Sequence, residues 1–139
     1  MRAVLDTNVF ISGILWKGTP HKIIELAEKQ KIEIAISLEI LEELAGVIKR
    51  PKFKPYLNQA ESTPQQIVER VVSLTQVFLS TKRVTIIKID PTDNMFLSCA
   101  LASGASFIIS GDKHLLNLKQ YQGIKVISPA QFFKLVSRL

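Results

Sequence analysis

The chain has 139 residues, with 18 Lys plus Arg against 12 Asp plus Glu, for a formal net charge of +6. That length suits one domain spanning residues 1–139, and the 47% hydrophobic content excludes a chain that is disordered in its main state. The single cysteine, Cys99, excludes a disulfide-stapled secreted scaffold and fits a reducing cytoplasm. No window holds the ~18 consecutive apolar residues that a bilayer crossing needs. The basic excess favours a polyanionic partner.

Residues 3–5 (AVL) predict a short buried strand ending at Asp6, and a helix follows from Thr7 towards Trp16. Thr19 and Pro20 read as the N-cap and first residue of a second helix through Ile23, Ile24 and Ala27. Residues 32–36 alternate as a strand does. Ser37 then caps a helix carrying Leu41, Leu44 and Ile48 at spacings of three and four, ended by Pro51. Residues 51–62 are irregular. Thr63, Pro64 and Gln66 make a capping-box pattern, opening a helix with Ile67, Val71, Leu74 and Phe78 on one face. Residues 84–89 predict a strand ending at Asp90, and a turn at Pro91 leads into a helix from Asp93 that Gly104 closes. Residues 107–109 predict a strand just before Asp112, and residues 125–127 a last strand, with Ser128 and Pro129 opening the final helix. Cys99 lies in the apolar stretch MFLSCALA and reads as a small buried residue.

Alternation of strand and helix predicts a three-layer α/β/α fold with a central parallel sheet of four to five strands. The apolar, non-alternating strands fit burial on both faces. Ligands of such sheets bind beyond the carboxyl ends of the strands.

Only four of the acids are aspartates: Asp6, Asp90, Asp93 and Asp112. Asp6, Asp90 and Asp112 each follow a predicted strand, and Asp93 opens the next helix. Parallel strands therefore bring at least three carboxylates to one edge, and Glu43, inside the helix after the second strand, is a further candidate. Clustered carboxylates repel each other, and a cation relieves them. An all-oxygen set suits Mg²⁺ or Mn²⁺, whereas two histidines and one cysteine make a poor zinc site. On a basic domain this points to phosphate chemistry. Each aspartate reads equally well by itself as a turn or helix N-cap residue, Asp90 most of all, and Glu43 as a solvated helix residue.

At these residues the sequence resembles the PIN-domain family of small metal-dependent ribonucleases. Val4-Leu5-Asp6-Thr7-Asn8-Val9 is similar to that family's opening motif. Glu43 before Leu44, with Lys49-Arg50-Pro51 following, matches the second acid. Asp93 in Asp90-Pro91-Thr92-Asp93-Asn94 matches the third, and Ser110-Gly111-Asp112 resembles the last motif, with Ser110 and Asp112 matching its hydroxyl and acid. The resemblance implies that Asp6, Glu43, Asp93 and Asp112 hold one or two Mg²⁺ or Mn²⁺ ions that activate water for cleavage of an RNA phosphodiester. Asn8 and Ser110 would orient them. The most similar subgroup, VapC-like toxins of toxin–antitoxin modules, implies a homodimer, a cognate antitoxin partner and a cytoplasmic location. One departure is His114, which stands where many members carry a further acid.

Lys49, Arg50, Lys52 and Lys54, with Phe53 among them and Tyr56 beyond, combine phosphate contacts with rings for base stacking in RNA. They read equally as a solvated helix end. Lys17, Lys22 and Lys113 flank the acidic motifs. Two rivals remain. A phosphatase of the haloacid dehalogenase class needs an acid two positions after its nucleophile, where Asn8 stands. A catalytically silent RNA-binding or partner-docking module needs no metal.

Overall fold

The computed structural model describes residues 1–79 and 91–138. The predicted strand at 84–89 and Asp90 lie outside the described residues. In chain order the elements are β1 (Arg2–Leu5), α1 (Thr7–Leu15), α2 (Thr19–Glu28), β2 (Glu33–Ser37), α3 (Leu38–Val47), a 3-10 turn (Pro51–Phe53), α4 (Lys54–Gln59), α5 (Pro64–Leu74), β3 (Thr75–Phe78), α6 (Pro91–Ser103), β4 (Phe107–Ile109), α7 (Lys113–Leu116), β5 (Gln120–Tyr121), β6 (Ile124–Ile127) and α8 (Pro129–Val136).

Among the described residues the strands form one sheet in the order β3-β2-β1-β4-β6-β5. Every neighbouring pair is parallel except β5 and β6. The central strand β1 carries Ala3, Val4 and Leu5, all fully buried, as a strand covered on both faces must be. From β1 the chain steps to β2 and then β3. It returns through α6 to β4, on the other side of β1. Right-handed crossovers in opposite directions place their helices on opposite faces, which makes the sheet the middle layer. Accordingly α6 packs across β1, β2, β3 and β4, while α1, α2 and α8 pack together and α3 lies against α5. The order reverses between β1 and β4, so the crevice at their carboxyl ends is the switch point where open α/β sheets bind ligands.

Local chemistry explains most helix boundaries. Ser37 accepts a hydrogen bond from the Ile40 N–H at the start of α3. Thr63 with Gln66, and Ser128 with Gln131, close reciprocal capping boxes on α5 and α8. The start of α2 differs from expectation by one residue: Gly18 is the cap, without a side-chain bond, and Thr19 is already helical. Cys99 is buried as expected, and burial pushes its thiol up to about 12 despite a hydrogen bond from Ser37.

Residues 51–62, read as irregular, hold the 3-10 turn and α4, and the sheet has six strands among the described residues where four to five were expected. Two further elements depart from the sequence reading. The helix predicted to carry Phe78 stops at Leu74, where the Thr75 hydroxyl donates to the Val71 carbonyl at 2.8 Å. Residues Thr75 to Phe78 then pair with β2 in parallel, from Ile34↔Thr75 to Ser37↔Phe78. Thr, Val and Phe fit a pleated ladder better than a last helical turn, and the four-residue spacing from Leu74 to Phe78 does not reflect a shared helical face. The second departure is the hairpin β5–β6, which gives the otherwise parallel sheet an antiparallel edge. Its turn residues Gln122 and Gly123 both have positive φ, 47° and 82°. A two-residue turn of that hand matches the twist of the paired strands, and Gly123 adopts it without strain. No helix of the described residues is long and apolar enough to cross a membrane.

Candidate active site

Asp6 is the first residue beyond β1. Its N–H donates to the Ile109 carbonyl at 3.0 Å, which extends the β1–β4 ladder and fixes Asp6 beside Ser110. Its Oδ1 accepts from the Val9 N–H at 2.8 Å and so caps α1. Its Oδ2 accepts from the Ser110 hydroxyl. Ser110 is fully buried, and its Oγ also accepts from the Asp112 N–H at 3.0 Å. Asp112 in turn caps α7 through Oδ1, which accepts from the His114 N–H at 2.9 Å. One buried hydroxyl therefore splints two acids from adjacent strands.

Burial pushes the Asp6 carboxyl above the usual carboxylate range. The Ser110 and Val9 hydrogen bonds pull it back, the nearby Asp112 charge adds to the rise, and the Gly111 N–H opposes it. Capping uses one lone pair of Oδ1 and the serine one of Oδ2. With the Gly111 N–H as a third donor, the carboxylate keeps one of its four acceptor sites towards a cation.

Glu43 is half-buried on α3, and its Oε2 accepts from the Thr7 hydroxyl at 2.8 Å. Thr7 is the first residue of α1, so this bond ties the second acid to the segment bearing the first. Asp93 is buried, 8% exposed, in the first turn of α6. A crossover helix runs back along the sheet, so its first turn lies at the carboxyl edge of the strands. Asn94, next along α6, buries its Oδ1 with no hydrogen-bond partner among the described residues. An unmatched buried acceptor is a place where a water or ion is accommodated. Asn8 is exposed, and with Asp6, Gly111, Asp112, Pro20 and Pro129 it lines a cleft of about 450 Å³. A larger cleft of about 570 Å³ opens among Ala27, Glu33, Ser73 and Gln76, at the amino ends of β2 and β3. Chemistry rather than size favours the first, since none of the four candidate acids lines the second.

The geometry thus joins Asp6, Ser110 and Asp112, links Glu43 to Thr7, and sets Asp93 at the start of α6. It does not close them into a cage: among the described residues no three His, Cys, Asp or Glu side chains stand together as one metal site. The donor set still fits Mg²⁺, which keeps several of its waters and is commonly held by one or two carboxylates plus substrate phosphate. A divalent cation would offset both the burial of Asp6 and its repulsion from Asp112.

The basic cluster divides in two. Lys49, Arg50 and Lys54 line a cleft of about 460 Å³ with Ile48 and Leu57 among its walls. Lys52 turns the other way, its Nζ 5.0 Å from the centroid of the Phe53 ring. Phe53 is only 5% exposed, so the structure corrects its reading as a stacking ring. The accessible rings are Tyr56 and Trp16, which meet edge to face at 4.8 Å. His114, in place of a further acid, is exposed at the surface, as is Lys113 beside it. Lys22 sets its Nζ 5.3 Å from the Phe133 ring centroid. Sequence reasoning missed Thr7, whose signal is its place directly after Asp6, and Trp16, whose signal is an aromatic residue where α1 ends.

A mostly parallel sheet with Asp6 and Asp112 at its switch point defines an α/β protein whose ligand-binding edge lies there. Residues 2–114 match the PIN domain family, and the chain belongs to that family. The uncharacterized protein MJ1680 of Methanocaldococcus jannaschii is 31% identical over 143 residues, covering 96% of this chain and 90% of that protein. A chain of the crystal structure of VapBC2 from Rickettsia felis, bound to a DNA fragment from their promoter, superposes with a TM-score of 0.63. The match covers 92% of this chain and 98% of that one at 19% identity, a likeness of fold.

Proposed function

We propose that this chain is a single-domain, Mg²⁺- or Mn²⁺-dependent endoribonuclease, acting as the toxin of a toxin–antitoxin pair in the cytoplasm. The observation that carries the reading is the Asp6–Ser110–Asp112 unit at the switch point, where a buried carboxyl is held above its usual range beside a second acid. Family membership supports nuclease chemistry at that unit. Asp6 and Asp112 would hold the ion, with Glu43 and Asp93 completing its surroundings once substrate is bound. A divalent cation there would polarise the scissile phosphate and acidify a water.

The chain's own groups do the rest. Ser110 fixes Oδ2 of Asp6, and Thr7 holds Glu43 on the facing helix. Asn8, exposed in the cleft, orients the attacking water or the phosphate. Lys49, Arg50, Lys52 and Lys54 draw the RNA backbone in. The solved VapBC2 complex of similar fold supports a cognate antitoxin as a partner of this chain, and the family resemblance alone suggests a homodimer.

Purified protein is incubated with end-labelled single-stranded RNA and Mn²⁺, beside an Asp6→Asn variant and a chelated control. Cleavage by the native chain alone is expected, and equal cleavage by both proteins sinks the assignment. The absence of a three-acid cluster among the described residues favours one alternative, a catalytically silent RNA-binding or docking module. Calorimetric titration with Mn²⁺ separates the two, because the silent module shows no heat that depends on Asp6.

A further inference from the structure

Trp16 and Tyr56 are 37% and 40% exposed, a large exposure for such rings, yet they are not scattered. Tyr56 on α4 meets Trp16, the residue that ends α1, edge to face at 4.8 Å. Phe53 backs the pair at 6.4 Å from Trp16, buried and immobilised by the core. Cations flank the pair: Lys52 lies against the Phe53 ring behind it, and Lys17, the residue after Trp16 in sequence, is exposed. Rings fixed from behind and edged by ammonium groups suit a flat, anion-bearing ligand, because a base stacks on the ring while its phosphates meet the lysines. The cationic edge favours a polyanionic occupant over a neutral one.

The position is informative. Asp6 and Trp16 cap opposite ends of α1, ten residues apart, which sets their backbones about 15 Å from each other along the helix. A few extended nucleotides span that distance. Only an unpaired strand can swing a base out onto such a ring, since a duplex keeps its bases stacked inside.

We infer that Trp16 and Tyr56 form a base-stacking platform that binds single-stranded RNA a few nucleotides from the phosphate at the acids. This rests on the nuclease reading for the position of the cut, but not for the binding itself. The platform selects unpaired substrate and sets a minimum length on one side of the cleaved bond.

Trp16 is the chain's only tryptophan, so its intrinsic fluorescence reports the platform directly. The native chain is titrated in chelator with oligoadenylate, and separately with a duplex RNA of equal charge. Saturable quenching by the single strand, and none by the duplex, is expected. Tyr56→Ala is expected to weaken it by roughly 5- to 150-fold, the range for loss of one stacking ring. Tyr56→Phe, which keeps a ring, restores it even if the alanine variant proves unstable. Equal quenching by duplex and single strand overturns the platform, as does native affinity in Tyr56→Ala. A change in emission on simple dilution, without RNA, also overturns it, because a second copy of the chain then covers the rings. Neither metal nor turnover is needed, so the two readings fail separately. Quenching without cleavage in Mn²⁺ supports the platform and removes the nuclease; cleavage without quenching does the reverse.

Discussion

Replacing Ser110 by alanine tests whether one hydroxyl organises the site. The side chain is fully buried and makes two hydrogen bonds, donating to Asp6 Oδ2 and accepting from the Asp112 N–H. A bond to an ionised partner contributes about 1.5–3 kcal/mol and a neutral one about 1 kcal/mol. Asp112 is exposed, so water can replace its lost acceptor, and the total settles near 3 kcal/mol. For a chain of this size that is a fall of about 10 °C in melting temperature. The loss depends on pH with a definite sign. The Ser110 bond holds the Asp6 carboxyl down, so its removal lets the native state keep its proton to higher pH. The variant therefore suffers most at neutral pH, where native Asp6 must be charged, and least in acid, where the carboxyl is neutral. Urea melts without divalent ions, at neutral pH and again below the Asp6 titration, measure both costs. A neutral-pH cost under about 1 kcal/mol, or the same cost at both, refutes the splint.

Two further outcomes follow from the same geometry. A Cβ on Gly13 would stand 2.7 Å from Ile24 Cγ1 and 2.9 Å from the Pro20 carbonyl oxygen. Gly13→Ala should thus destabilise by about 1–2 kcal/mol in a thermal melt, overpacking outweighing the better helix propensity, and a rise in melting temperature would show room between α1 and α2. For Asp6 itself, a native carboxyl raised above its unfolded value of 3.8 binds more protons than the unfolded chain across that interval. Stability without metal accordingly falls as pH rises through the interval and levels off above it, and Asp6→Asn removes that slope. Added Mn²⁺ competes with the same proton, so it stabilises the native chain more above the interval than below. Melts over pH, with and without Mn²⁺, check this, and a metal effect independent of pH would be inconsistent with Asp6 as a ligand.

The parts of the fold legible in the sequence are those decided locally. Ser37, Thr63 with Gln66, and Ser128 with Gln131 announce their helices because a cap is a contact within four residues. Strands β1 and β4 show as apolar runs because burial on both faces leaves no polar position to mask them. Thr75 to Phe78 was misleading, since its partners lie about forty residues away in β2 and nothing nearby distinguishes a last helical turn from an edge strand. Phe53 looked available among lysines and arginine. Its burial comes from joining the core, with Trp16 from the end of α1 against it, which no spacing in residues 49–54 encodes. Asp6 with Ser110 was legible as a pair of strand ends, but the shared hydroxyl depends on the β1–β4 register, which is a tertiary fact.

The caps carry one more argument. After β1, β2 and β6, and again just past β4, a polar residue begins the next helix: Asp6, Ser37, Ser128 and Asp112. The fold needs an oxygen at each of these places, and serine supplies it as well as aspartate does. At two of the four the chain does use serine. At the other two, flanking the switch point, it uses acids, and there the electrostatic consequence is adverse: burial and the Asp112 charge both work against an ionised Asp6. Serine at both would cap the helices without that repulsion. Capping therefore explains why oxygens stand there but not why they are charged, and the cation proposed for the edge between β1 and β4 would account for the remainder.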